Sequence, residues 1–192
     1  LRAVGTRDAA GAGRGPAHAR IMLVGEQPGD QEDRTGIPFV GAAGRMLDRA
    51  LEEAGIERAS VYVTNAVKHF KWEPRGKRRL HKTPAQREVA ACRYWLEREL
   101  AALGPRVIVA LGATALRAVL QDNDATLERT RQPVRSPDGC LVVATYHPSY
   151  VLRTRGADSR EQAYRILVDA LRTASRLAHG SGGTHGARGD AE

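Results

Sequence analysis

Cysteine is scarce in this sequence, long apolar runs are missing, and acidic residues are outnumbered; each shortage excludes something. Cysteine occurs only at Cys92 and Cys140. These form neither a C-x-x-C pair nor a disulfide framework, so a reducing cytoplasm is the expected compartment. No apolar run approaches the roughly 20 residues that a membrane span needs, so no membrane partner is expected. The first residues carry Arg and Gly around no apolar core, which gives no signal peptide. Against 22 Asp and Glu stand 30 Lys and Arg, a formal net charge of +8 and a pI near 10.1. That balance favours an anionic partner without distinguishing DNA, RNA or acidic lipid. What is present is ordinary for a globular chain: 42% hydrophobic and 27% charged over 192 residues, enough for one domain with a substantial core.

The basic charge is concentrated. Lys68 to Lys82 reads K-H-F-K-W-E-P-R-G-K-R-R-L-H-K, with seven Lys or Arg, two histidines and one acid. Pro74 and Gly76 are expected to break any regular element inside it. A cationic loop carrying Phe70 and Trp72 suits a polyanion with flat faces, which describes nucleic acid. A solvated charge run is the plain alternative.

Taken in order, residues 1–20 lack periodicity and read as a flexible lead-in, and a start at Leu1 without Met points to a cut chain. Ile21–Val24 is a buried strand that ends at Gly25 and feeds the loop G-E-Q-P-G-D. From Gly44 the pattern is helical, with Met46, Leu47, Ala50, Leu51 and Ala54 on one face and Gly55 as the stop. Val61–Thr64 is a second strand. Thr83-Pro84 is read as the N-cap and first position of a long helix with Val89, Cys92, Leu96, Leu100 and Leu103 inward. Val107–Leu111 is a third strand, followed by G-A-T and a helix to Leu120. Gln121 to Gly139 is polar, a loop or hairpin. Leu141–Thr145 is a fourth strand, ending at Y-H-P-S. Ser159 with Gln162 is read as the capping box of a final helix that carries Tyr164, Leu167, Val168, Leu171 and Leu177. One domain over 21–179 and a disordered tail over 180–192 complete the organisation, with no internal repeat.

Strand, loop and helix alternate four times, so the fold class is α/β: a three-layer sandwich with a four-stranded, mostly parallel sheet between helices. Ligands of such sheets bind beyond the carboxyl ends of the strands. Glu26 and Gln27, Asn65, Gly112 and His147 all follow strands, and the basic loop leaves from the same rim. The turn G-E-Q-P-G-D is not a P-loop, since no G-K-[ST] follows, but its N–H groups suit a phosphate or carbonyl. Glu26 and Asp30 are candidates for activating water or stabilising a cation; isolated acids also serve as caps. Phe39, between Pro38 and Gly41, suits stacking as well as core packing. Asn65 offers a planar donor and acceptor to a base edge. His147 suits a carbonyl oxygen on which negative charge builds. An aromatic, an amide, a histidine and a carboxylate together describe a base-flipping pocket: the carboxylate for a cation at C1′, the histidine for the departing base anion.

With these residues on the page, G-E-Q-P-G-D, P-F-V-G, T-N-A-V-K-H and H-P-S resemble the motifs of the iron–sulfur, family 4-like branch of the uracil-DNA glycosylase superfamily. G-K-R-R-L-H-K looks like the insertion that marks its X-type members (UdgX). The resemblance covers roughly Ile21 to Leu177. It implies a four-stranded parallel sheet between helices and excision of uracil from DNA, single-stranded DNA preferred, by a monomer. It further implies that His81 attacks C1′ and stays bound to the DNA. Glu26 would assist, Gln27 and Asp30 would shape the uracil site, Phe39 would stack, Asn65 would read the uracil edge, and His147 would contact its carbonyl. Lys77, Arg78, Arg79 and Lys82 would hold the flanking phosphates. The same resemblance implies a 4Fe-4S cluster, for which His69 and Cys92 match two ligand positions; the amino-terminal cysteine pair has no counterpart in this sequence, and such clusters take four ligands. Cys140 is expected in the core. The alternatives are a turning-over uracil-DNA glycosylase, with His81 a phosphate or sugar contact, and a non-catalytic DNA-binding module.

Overall fold

A computed structural model describes residues 11–180; the remainder of the lead-in and most of the tail lie outside the described residues. Five fully or partly buried strands form the main sheet: β1 (Ile21–Gly25), β2 (Tyr62–Asn65), β5 (Val107–Leu111), β6 (Val134–Arg135) and β7 (Leu141–Thr145), in the order β2-β1-β5-β7-β6. The first four in that order are parallel, as their unbroken apolar runs require of strands covered on both faces. The fifth corrects the expected count. β6 is a two-residue antiparallel edge, Val134 opposite Val142, formed where the polar stretch before Gly139 turns back on β7.

Alternation along the strands divides the core. Leu23, Val63, Val109, Leu111 and Val143 face α2 (Ala42–Glu53), α5 (Pro148–Arg153) and α6 (Ala157–His179), meeting Leu47, Leu51, Val151, Leu167 and Leu171. Met22, Val24, Ile108, Ala110 and Val142 face α3 (Gln86–Leu103) and α4 (Ala113–Leu120), meeting Leu96, Leu100, Leu116 and Val119. This is the three-layer sandwich expected from the four buried runs. No helix among the described residues is long and apolar enough to cross a membrane.

Local readings at three helix or loop positions are corrected. The basic stretch is not irregular: β3 (Trp72–Arg75) and β4 (Arg78–His81) make an antiparallel hairpin, with Gly76 at φ 60° in its turn. Pro74 is tolerated because two strands leave each outer edge unpaired, and Gly76 supplies the turn rather than a break. α3 begins at Gln86, not at Thr83-Pro84; the Glu88 carboxylate accepts the Ala85 N–H at 2.6 Å and does the capping. α6 begins at Ala157 after Gly156, so Ser159 lies inside its first turn. Within the lead-in, Arg14 bridges Val63 through paired backbone bonds of 2.8 Å, and Gly13 N–H donates to Glu99 at 3.0 Å, so residues 11–14 are tied to the β2 edge.

Candidate active site

The carboxyl ends of β1, β2, β5 and β7 open onto one cavity of about 460 Å³, lined among others by Glu26, Gln27, Phe39, Asn65, His81 and His147. Glycines let these groups converge. A Cβ at Gly25 would collide with Asn65 Oδ1 and lie 2.6 Å from the Phe39 ring; a Cβ at Gly112 would lie 3.3 Å from that of His147. Phe39 itself sits at φ 56°, a left-handed backbone that costs a non-glycine residue about 1 kcal/mol or more. It turns the ring into the cavity wall, 5.7 Å from the His147 ring.

Asn65 is almost wholly buried, and its Oδ1 has no hydrogen-bond partner. A buried unpaired acceptor costs about 1–3 kcal/mol. His147 is the N-cap of α5, and its Nδ1 accepts the Ser149 N–H at 3.1 Å. Burial, assisted by the Arg153 and His81 charges, pushes its pKa down to about 4. The ring is therefore neutral near pH 7 with its proton on Nε2, a donor for an oxygen in the cavity.

Glu26 stands between two partners. Thr114, at the start of α4, donates its hydroxyl to Oε2 at 2.6 Å, while Oε1 lies 3.3 Å from His81 Nε2. His81 is the last residue of β4 and half exposed. The hairpin thus brings a half-exposed imidazole to a partly buried carboxylate at the cavity mouth. Thr114 was not singled out from the sequence; its place in G-A-T at a strand end was the available signal. Glu32, also unanticipated, lines the cavity and accepts the Gly41 N–H at 2.8 Å, bracing the loop that carries Phe39.

Other expected site residues have different work. Gln27 lines the cavity, but its amide is spent on the hairpin base: Oε1 accepts Lys71 N–H at 3.1 Å, and Nε2 donates to the carbonyls of Lys71 and Lys82 at 3.2 and 3.1 Å. Asp30 does not line the cavity. It opens α1 (Asp30–Thr35) and pairs with Arg34 at 2.9 Å and with Arg79. Burial acts to raise its carboxyl pKa, but those two guanidinium partners outweigh it and hold it below the ordinary value. Arg79 also binds Asp33 at 2.6 Å and lies over the rings of Phe70 and Trp72. These contacts clamp the hairpin to α1 and occupy the Arg79 guanidinium with carboxylates. Lys82 pairs with Glu73 at 3.3 Å, Lys71 with Glu88 at 2.6 Å, and Lys68 is buried against Glu99 at 2.7 Å. Of the seven cations, Arg75, Lys77 and Arg78, at the hairpin turn, carry no ion pair among the described residues.

The described residues do not bring four cluster ligands together. His69 is exposed and Cys92 buried, its Sγ 3.4 Å from the Lys68 N–H that donates to it. Among the described residues no three His, Cys, Asp or Glu side chains gather as metal ligands. Cys140 lies just before β7, at the opposite end of the sheet from the cavity, with its thiol toward the Pro105 carbonyl at 3.4 Å.

Comparison with known proteins places this geometry. The family model described as the uracil DNA glycosylase superfamily matches residues 12–172. The chain belongs to that superfamily. Among its relatives, the type-4 uracil-DNA glycosylase of Thermotoga maritima is 40% identical over 84% of this chain and 79% of its own. That of Archaeoglobus fulgidus is 39% identical over 73% and 70%, and the type-5 uracil-DNA glycosylase of Thermus thermophilus 35% over 84% and 79%. In this superfamily member, the cavity at the carboxyl rim is the candidate active site, with Glu26, Asn65, His81 and His147 converging on it and Asp30 and Arg79 outside it.

Proposed function

We propose that this chain excises uracil from DNA and that His81 captures the sugar it leaves behind. One observation carries the reading: the unpartnered Asn65 Oδ1 and the neutral His147 donor share a cavity at whose mouth His81 lies 3.3 Å from Glu26. Uracil N3–H would satisfy Oδ1. Cytosine has no hydrogen at that ring position and would set two acceptors face to face. Phe39 would stack on the base. As the C1′–N1 bond breaks, its electron pair leaves with the uracil, and the negative charge on the carbonyl oxygen is met by His147 Nε2–H. The sugar becomes an oxocarbenium ion beside the Glu26 carboxylate. The unprotonated nitrogen of His81 gives its lone pair to C1′, forming an N-glycosyl imidazolium whose charge Glu26 balances. Once the imidazolium gives up its remaining N–H proton to solvent, the leaving group would be an imidazolide anion, a poor one, so the neutral adduct persists.

The type-4 and type-5 names of the relatives support the excision step. The placement of His81 supports the capture step. Incubating the protein with a uracil-containing single-stranded oligonucleotide should give a band of protein plus DNA that survives denaturing electrophoresis. His81→Ser should lose the band while uracil is still released. Repeated uracil release by the wild type without any adduct would leave a turning-over glycosylase, with water as the nucleophile. Salt-sensitive binding without uracil preference or release would leave a DNA-binding module.

A further inference from the structure

Trp72 is the one hairpin aromatic that the proposed excision chemistry leaves unused. It is 40% exposed, whereas Phe70 is buried. In the antiparallel register Trp72 stands directly opposite His81, and Pro74 opposite Arg79. Directly opposed residues share a face, with their Cβ atoms about 5 Å apart. Trp72 and His81 therefore rise from the same side of the hairpin. Arg79 lies 5.5 Å from the Trp72 ring centroid and is itself held by Asp30 and Asp33. The indole is thus backed by a cation that two carboxylates hold, while Arg75, Lys77 and Arg78, without ion pairs among the described residues, sit at the turn of the same hairpin.

On the reading that His81 meets C1′ of a flipped nucleotide, we propose that Trp72 stacks on the nucleobase next to it in the strand, making the hairpin a clamp for single-stranded DNA. Successive bases in a strand rise about 3.4 Å when stacked, and flipping widens that step. A ring that rises from the position directly opposite His81, on the same face of the hairpin, is within reach of the neighbouring base. Stacking reads any base, because every base has a π face, so the clamp grips without adding sequence preference. In a duplex the neighbouring base is already paired and stacked, and Trp72 must compete with both. The clamp therefore favours a single strand.

The test uses a thymidine oligonucleotide with one central uracil, alone and annealed to its complement. The only other tryptophan is Trp95, exposed on α3, so Trp95→Phe leaves Trp72 as the sole indole emitter. Titrating the single strand into W95F should quench the emission strongly, and the duplex should quench it less. W72A should weaken single-strand binding about tenfold, within the range for losing one base stack. It should lower the uracil-release rate at saturating DNA far less, and W72F should recover most of the binding. Unchanged emission in W95F on binding, or equal single-strand affinity of W72A and wild type, overturns the clamp. Absence of uracil release by the wild type overturns the glycosylase reading instead, and quenching separates that failure from this one.

Discussion

Asn65 and His147 show how much a single environment decides. An asparagine at a strand end is ambiguous in sequence between a turn cap and a base reader. Burial without a partner for Oδ1 makes it a waiting acceptor. Asn65→Ala removes that acceptor, and uracil release by the variant should fall about a hundredfold at subsaturating DNA, the scale of one lost buried hydrogen bond to the reacting base. For His147, the fold favours the neutral ring: the pKa drops from 6.5 to about 4, chiefly through burial. A group that resists its proton in the fold contributes its stability above the unfolded value and loses it as the pH falls through the window down to the folded one. Denaturant midpoints should therefore fall between about pH 6.5 and pH 4 more steeply in the wild type than in His147→Gln, which has no ring to protonate. The H-P-S motif made His147 legible in the sequence. Its tautomer was not, because that depends on the Ser149 N–H turning back onto Nδ1 at the start of α5.

At the level of elements, the hairpin is positioned by two attachments made outside it. Gln27 ties its base through three hydrogen bonds, and Asp30 with Asp33 ties its outer strand through Arg79. Gln27→Ala should speed hydrogen exchange at the Lys71 amide and slow adduct formation by about a hundredfold, as expected when three bonds of roughly 1 kcal/mol each are withdrawn from the closed position. Binding of single-stranded DNA should change less, because the cationic turn is untouched. The hairpin itself was hidden from pattern reading. Its residues are exposed and charged, so no period-2 hydrophobic alternation marks it, and Pro74 and Gly76 argue against strands unless the pairing partner is known.

For the whole molecule, charge divides into a structural and a free fraction. Lys68 and Glu99 are buried together, with side-chain exposures of 7% and 16%, and Thr64 and Gly13 complete the network. Burial pushes the Lys68 ammonium below its ordinary pKa, and Glu99 opposes that push. The same pair of effects, burial and then Glu99, raises Tyr62 to about 12. Lys68→Met strands the Glu99 carboxylate and should lower Tm by roughly 10 °C, on the order of 3–5 kcal/mol; adding Glu99→Leu should restore most of it. Lys77 and Arg78 belong to the free fraction. Replacing each with Ala should reduce the slope of log affinity against log salt by about one and weaken uracil-containing and uracil-free DNA alike.

The sequence by itself determined the layers and the rim. The apolar runs at Ile21, Val61, Val107 and Leu141 can be satisfied only by burial on both faces, and burial of consecutive strands in parallel puts their carboxyl ends, with Glu26, Asn65 and His147, at one edge. That edge follows from local hydrophobic patterning, which one dimension records. Tertiary structure alone decided which charges are free and which hold the hairpin. Arg79 looked like a phosphate contact beside Lys77 and Arg78, but its partners Asp30 and Asp33 lie 49 and 46 residues away, and Gln27 reaches 55 residues to Lys82. Ion pairs and amide bonds are short-ranged and directional, so their choice of partner depends on where the folded chain sets each side chain.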